Sequence, residues 1–351
     1  MLRMSINNIK ILITRTDRIG DLVLSTPVFE ALKKHIPQSY IIVMAKKDVI
    51  NILNGNPFID EMIMYDPSGV HKGLKGALEL ADTLREKRID IAVELFMSFY
   101  PALAISLAGI KMRIGPGSRI YSSILLTHVI KQERKQSKYN EALYNLMLLK
   151  PLGIEDINIK PRIYLSDNKD SCEKFLLNNG LKPFGYVVVH PGMGGSAKNW
   201  SAVNYASLIG AITRHLKLPV LITGSNADLS IVKTIMGLLK PDQYIKNMCC
   251  VLSLEQLKTI MFFSKAVVGP STGPMHIAAA LYKPTIALFS PLKAQSKVRW
   301  APYLLDNVSI LSPNVVCDKN HCYNKCIHYD CMNIIKVQDV IKYLEGVIEI
   351  Q

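Results

Sequence analysis

The sequence predicts an α/β protein of two domains, each built on a parallel sheet. Short apolar runs alternate with amphipathic stretches along both halves of the 351-residue chain, which is the pattern of repeated strand-helix-strand units. A chain of this length exceeds one ordinary core, whereas two domains of usual size account for it. Turns rich in small residues follow several of the strands, as they do where such sheets bind ligands at the carboxyl ends of their strands.

In the first half, strands are expected at Ile9 to Ile13, Tyr40 to Met44, Glu61 to Tyr65, Ile89 to Glu94 and His128 to Ile130. Helices are expected near 22–35, 73–87, 101–109 and 138–151. The segment from Leu152 to Asp170, with Gly153 and Pro161, is the junction between an N-terminal domain, 1–165, and a C-terminal domain, 166–335. In the second half, Tyr186 to His190, Val220 to Thr223, Ala266 to Gly269, Thr285 to Phe289 and Val308 to Leu311 read as strands. Helices alternate with them near 168–179, 202–215, 227–239, 254–263 and 274–281, and a last helix within 336–351 packs back on the body. Two such domains facing each other make a cleft, a favoured place for a ligand.

Composition narrows the function classes. Hydrophobic residues make up 49% and charged residues 20%, a globular balance. The opening Met1-Leu2-Arg3-Met4 has no apolar signal region, so a cytoplasmic protein is expected. Leu95 to Ile110, the longest apolar run, is interrupted by Ser98, Pro101 and Ser106 and falls short of a membrane span. A formal net charge of +14 calls for an anionic partner, with the inner-leaflet membrane surface and phosphorylated or acidic substrates as candidates. The densest cluster, 131–138, has Lys111, Arg113 and Arg119 upstream; it reads as a site for an anionic lipid or phosphorylated acceptor, or as a solvated basic face. No nucleic-acid-binding motif accompanies it, so nucleic acid is not expected as a partner.

The first strand leads into Arg15-Thr16-Asp17-Arg18-Ile19-Gly20-Asp21 and then an apolar helix. Gly20 permits a close turn, and Asp21 falls in the first helical turn, where the positive end of the dipole favours an ionised carboxylate. Asp21 is then either a proton acceptor or a cap that satisfies backbone amides. After Tyr186 to His190 comes Pro191-Gly192-Met193-Gly194-Gly195-Ser196-Ala197-Lys198, whose small residues admit an anion while Ser196 and Lys198 add a hydroxyl and a charge. A second such turn, Gly269-Pro270-Ser271-Thr272-Gly273-Pro274, starts a helix with proline early in its first turn. His276, one turn further on, is a packed histidine or a site residue. In the turn between them, Asp228 is a ribose ligand or a helix cap.

Taken together, these turns resemble glycosyltransferase family 9, the ADP-heptose:lipopolysaccharide heptosyltransferases, from Ile9 to Pro27 through His190 to Trp200, Leu221 to Asp228 and Gly269 to Ala280. The resemblance implies a GT-B fold: two Rossmann-like domains with parallel sheets facing across a cleft, acceptor on the first and nucleotide sugar on the second. It also implies inverting transfer of heptose or a similar sugar from ADP-heptose to the lipopolysaccharide inner core, with no metal required. By position it makes Asp21 the catalytic base, with Gly20 beside it. Gly192, Ser196, Lys198, Thr272, Gly273 and Pro274 would hold the donor diphosphate, Asp228 and Leu252 the nucleoside, and Ser271 and His276 the donor sugar. Arg18, Gly20, Arg113 and Arg119 would contact the acceptor. Ser271 stands where relatives often carry an Asp against the transferred sugar, which leaves the sugar open.

Four cysteines, Cys317, Cys322, Cys326 and Cys331, crowd the C-terminal region with His321 and His328. Thiolates and imidazoles suit a structural zinc or iron, although the spacing is not that of common zinc ribbons, and reduced cytosolic thiols are the alternative. One branch similar to this chain, which glycosylates autotransporter proteins, holds iron through cysteines. A glycosyltransferase acting on proteins or other glycans, or a noncatalytic nucleotide-sugar-binding protein, are the competing expectations. An intact Asp21 and Lys198 argue against the last.

Overall fold

The computed structural model describes residues 9–166, 169–193, 198–317, 322 and 326–349. Two compact units, Met1–Tyr164 and Leu165–Gln351, divide the chain. The first carries β1 (Lys10–Arg15), β2 (Tyr40–Lys46), β3 (Glu61–Tyr65), β4 (Ile91–Glu94), β5 (Met112–Pro116) and β6 (His128–Ile130). The second carries β7 (Val187–Val189), β8 (Val220–Ile222), β9 (Ile245–Asn247), β10 (Ala266–Pro270), β11 (Thr285–Leu288) and β12 (Val308–Leu311).

Each unit holds one six-stranded sheet, ordered β3-β2-β1-β4-β5-β6 and β12-β11-β10-β7-β8-β9. All the pairings are parallel. Counted from its own first strand, the second sheet repeats the order of the first. In both, the order reverses beside the first strand, between β1 and β4 and between β7 and β10. The crevice outside the carboxyl ends of strands at such a reversal is where open α/β sheets bind ligands. Helices cover both faces of a parallel sheet, so its central strands are apolar without alternation. Ile11, Leu12 and Ile13 of β1 and all three valines of β7 are fully buried.

Two strands lie outside the expected set. In β5, Met-Arg-Ile-Gly-Pro, one charge and a terminal Gly-Pro hide the apolar pattern. Its register, Ile91↔Met112 and Ile114↔His128, joins β4 to β6. Arg113 fits there because its guanidinium donates to the carbonyls of Leu125 and Ile110, at 2.7 and 2.6 Å. The strand β9, Ile-Lys-Asn, lies at a sheet edge, where one side of the strand is unpaired and polar residues are tolerated.

The helix expected over 22–35 is broken into Ile19–Val23 and Thr26–His35. Pro27 has no N–H for the carbonyl of Val23, and the Thr26 hydroxyl donates to that carbonyl instead at 2.8 Å. Gly20 is helical and has no positive φ, so the close turn needs no glycine freedom there. The final helix, Val337–Glu349, buries Val340 and Leu344 in a core shared with the helix Ala202–Ala211 and with β7 and β8. No described helix is long and apolar enough to cross a membrane.

Candidate active site

Arg15 closes an otherwise apolar strand, and a guanidinium that is 98% inaccessible must be paired. Its Nε and Nη2 take both oxygens of Asp17, at 2.7 and 2.8 Å, while Nη2 also donates to Asp21 Oδ1 at 2.6 Å. Nη1 donates to Glu141 and Asn145, each at 3.0 Å. Arg134 reaches the same Glu141 oxygen at 2.6 Å and the carbonyl of Leu95, just past β4, at 3.1 Å. Asn145 in turn donates to Leu24 and to Ser25, fixing the break after the short helix.

Asp21 therefore does not cap its helix. Arg18 occupies the cap position, and the Asp21 carboxylate turns back to Arg15. Three carboxylates share two guanidinium groups in this cluster. Burial pushes the Asp21 carboxyl up to about 7; Arg15 opposes the shift, while Asp17 and Glu141 reinforce it. Asp21 remains 9% exposed, whereas Glu141 is sealed. Such a group can take a proton near neutral pH.

Beside the cluster, a cavity of about 600 Å³ opens at the carboxyl ends of β1 to β4, lined among others by Asp17, Arg18, Lys46, Tyr65, Lys72 and Tyr100. His71 also lines it, stacked on Tyr65 at 5.4 Å and accepting the Asp66 N–H on Nδ1. Of the residues expected to meet an acceptor, Arg18 is in this cavity. Arg113 is held by the two carbonyls described above, and Arg119 lies exposed beyond β5. The 131–138 cluster is not simply a solvated face: Arg134 is turned inward to Glu141, and Lys138 pairs with Glu133. The reason is the sealed Glu141 carboxylate, which needs cationic partners.

Glu94, at the end of β4 in register with Thr14, is a further buried acid. Neither of its oxygens has a hydrogen-bond partner among the described residues. Burial raises it to about 8, with Arg113 opposing. Below about pH 4.5 both folded and unfolded chains hold this proton; above it the unfolded carboxyl ionises first, so stability falls as pH rises towards 8. Glu94→Gln is expected to stabilise the protein by on the order of 4 kcal/mol at pH 7.5 and by almost nothing at pH 4. Urea unfolding at the two pH values measures this; equal gains at both would rule the mechanism out.

In the second unit, Gly192 follows β7 and Ser271 to Pro274 follow β10, the two strands at the reversal. Gly192 follows β7 directly beneath the Asp228 carboxyl: a Cβ there would stand 2.2 Å from its carbon. Asp228 itself completes a capping box at a helical turn, accepting from the Ser225 N–H and hydroxyl at 2.9 and 2.7 Å. His190 bonds Thr223 at 3.0 Å, and burial pulls it down to about 4. Thr272 precedes the helix Gly273–Ala280 in extended conformation, and its side chain does not cap that helix start. Ser271 is half-buried at the end of β10. His276 is buried within the helix, and burial holds it neutral with a value near 4. Leu252 is half-buried next to the cap Ser253. Lys198 Nζ lies 3.4 Å from the ring centre of Tyr329. Ser196 lies outside the described residues.

The cysteines do not assemble a metal centre among the described residues: no group of three or more His, Cys, Asp or Glu is placed to hold an ion there. Cys331 is buried in the apolar core and Cys322 is exposed. His321 lies outside the described residues. All seven thiols are free.

Sequence reasoning passed over the roles of Arg15, Glu141, Asn145 and Arg134. One signal was available for the first, an arginine at the end of a fully apolar strand. The others come together only through the fold, 126 and 130 residues from Arg15 in the cases of Glu141 and Asn145.

A sequence model for glycosyltransferase family 9 (heptosyltransferase) matches residues 77–328. Lipopolysaccharide heptosyltransferase 2 of Escherichia coli is 29% identical over 298 residues, covering 80% of this chain and 83% of that protein. A crystal structure of a family 9 glycosyl transferase from Veillonella parvula superposes with a TM-score of 0.85 at 21% identity, over 99% of each chain. The E. coli ADP-heptose lps heptosyltransferase II structure gives 0.80 at 24% identity, over 97% of this chain and 99% of that one. The fold is thus the GT-B arrangement of two Rossmann-like sheets.

Proposed function

This chain belongs to glycosyltransferase family 9 and is a glycosyltransferase; from that premise we propose that it moves a heptose, or a closely similar sugar, from an ADP-heptose-like donor to the inner core of lipopolysaccharide. The observation that carries the reading is the state of Asp21: nearly buried, fixed by Arg15 at 2.6 Å, and raised to about 7. A carboxylate so held is oriented as a general base and retains enough basicity to accept a proton at physiological pH.

The reaction is a single displacement. Asp21 takes the proton of an acceptor hydroxyl while that oxygen bonds to the anomeric carbon, and the bond from that carbon to the diphosphate oxygen breaks on the opposite face. Configuration inverts. Negative charge leaves on the nucleoside diphosphate, where Lys198 and the amides at the start of the helix Gly273–Ala280 receive it without a metal ion. The cavity beside Asp17 supplies cations for an acidic acceptor through Arg18, Lys46 and Lys72, and an aromatic wall for sugar rings through Tyr65 and Tyr100. A net charge of +14 suits an anionic acceptor held at a membrane surface.

Incubating the full chain with ADP-heptose and truncated core acceptors, in chelator, should release ADP and add one sugar to the acceptor, with the new linkage of opposite anomeric configuration by NMR. Absence of transfer with every core acceptor, when ADP-heptose is bound, would sink the reading for that acceptor class. Ser271 favours a second possibility, a different transferred sugar or acceptor; a panel of nucleotide sugars with glycan and protein acceptors decides between them.

A further inference from the structure

The cysteine-bearing segment has a structural partner that the transfer chemistry does not yet use. Residues 326–335 are fastened along residues 198–204 at several points. The Trp200 indole N–H donates to the Ile335 carbonyl at 3.0 Å, and Asn204 donates to Asn333 at 3.0 Å. Cys331, Met332 and Ile335 share a core with Trp200. Within the segment, Tyr329 N–H bonds Cys326 O and Cys331 N–H bonds His328 O, both at 3.0 Å, making a tight turn. That turn sets the Tyr329 ring against Lys198, with Nζ 3.4 Å from its centre.

We propose that Tyr329 is a positioning residue for the donor: its ring face holds the Lys198 ammonium where the nucleoside diphosphate binds, and the cysteine-bearing segment exists to place that ring. The inference rests on the reading of Lys198 as a diphosphate contact. Lysine has four rotatable side-chain bonds, and an unrestrained ammonium at a turn loses that freedom when it meets an anion. A ring face attracts a cation without neutralising it, so the full charge is left for the phosphates. A carboxylate partner would have satisfied the ammonium and competed with the ligand. Tyr329 is 44% exposed and Lys198 half-buried, so the ring lies at the surface and is not a core packing residue.

The test is ADP affinity of the full-length chain by titration calorimetry, with thermal unfolding as a check on folding. Tyr329→Leu should weaken ADP binding by about 2- to 30-fold, the equivalent of one cation–π contact, and should raise the donor KM with little change in kcat. Tyr329→Phe and Tyr329→Trp keep a ring face and should bind as the wild type does. In a Lys198→Met background, Tyr329→Leu should add no further loss.

Several results overturn the proposal: a Leu variant that binds ADP as well as or better than wild type, a Phe variant as weak as Leu, or losses that add in the double variant. The functional reading fails separately, and takes this inference with it, if the wild type does not bind ADP or Lys198→Met binds it unchanged.

Discussion

Replacing Asp21 by Asn is expected to lower kcat by about 10²- to 10⁴-fold, the usual worth of general-base assistance, while leaving the affinity for ADP unchanged. Asn keeps the size of the side chain and can still accept from Arg15 through its oxygen. What it loses is the capacity to bind a proton. Because Asp21 is one of three carboxylates around two guanidinium groups, removing its charge relieves repulsion from Asp17 and Glu141. The variant should therefore unfold at the same temperature as the wild type or higher, which separates a chemical loss from a folding loss. In the wild type, kcat/KM should rise with pH with a midpoint near 7, because the base works only after losing its proton. Asp17 is the control. It lines the cavity and shares the same arginine, and if Asp17→Asn costs more than Asp21→Asn in kcat, the base has been misassigned.

Loss of Arg15 should have the largest effect on stability. Arg15→Met leaves Asp17, Asp21 and Glu141 without their common cation in a largely buried site, and removing one partner of a buried ion pair costs about 3 to 5 kcal/mol. Burial alone would oppose charge on Arg15, but the carboxylates of Asp17, Asp21 and Glu141 more than offset it and raise its pKa. The first transition in urea should move to lower concentration by a corresponding amount. A second consequence concerns the remaining activity. Without the cation that opposes its protonation, Asp21 holds its proton to higher pH, so the acidic limb of the rate profile should shift to the alkaline side. Arg15→Lys keeps a charge but not the planar fork that serves five side-chain acceptor contacts at once, and should fall between the two. A Met variant as stable as wild type, with an unmoved limb, would mean that the cluster neither supports the fold nor sets the base.

Much of the architecture was legible because parallel sheets impose a strong local signal. Strands such as Ile-Leu-Ile and Val-Val-Val must be apolar on both faces, and helices must follow them. The exceptions have local causes. In β5, Arg113 finds backbone acceptors at Ile110 before the strand and Leu125 after it, so a charge was admitted where the pattern forbids it. In β9, an edge needs less apolar surface. The break at Leu24 and Ser25 was signalled by Pro27 but disguised by the apolar helix on either side.

The sequence alone determined the alternation of strands and helices, the positions of the two glycine-containing turns and the carboxylate after the first strand, since each depends on residues within a few positions of one another. It left open whether Asp21 was a cap or a base and whether Asp228 met a ligand or its own helix. Tertiary structure removes the cap from Asp21 and supplies one at Asp228. Arg15 turns Asp21 away from the helix amides, Glu141 and Asn145 arrive from more than a hundred residues away, and Ser225 claims an oxygen of Asp228. The pKa of a buried acid is set by every charge and dipole around it, and those neighbours are assembled by the fold rather than by adjacency in the chain.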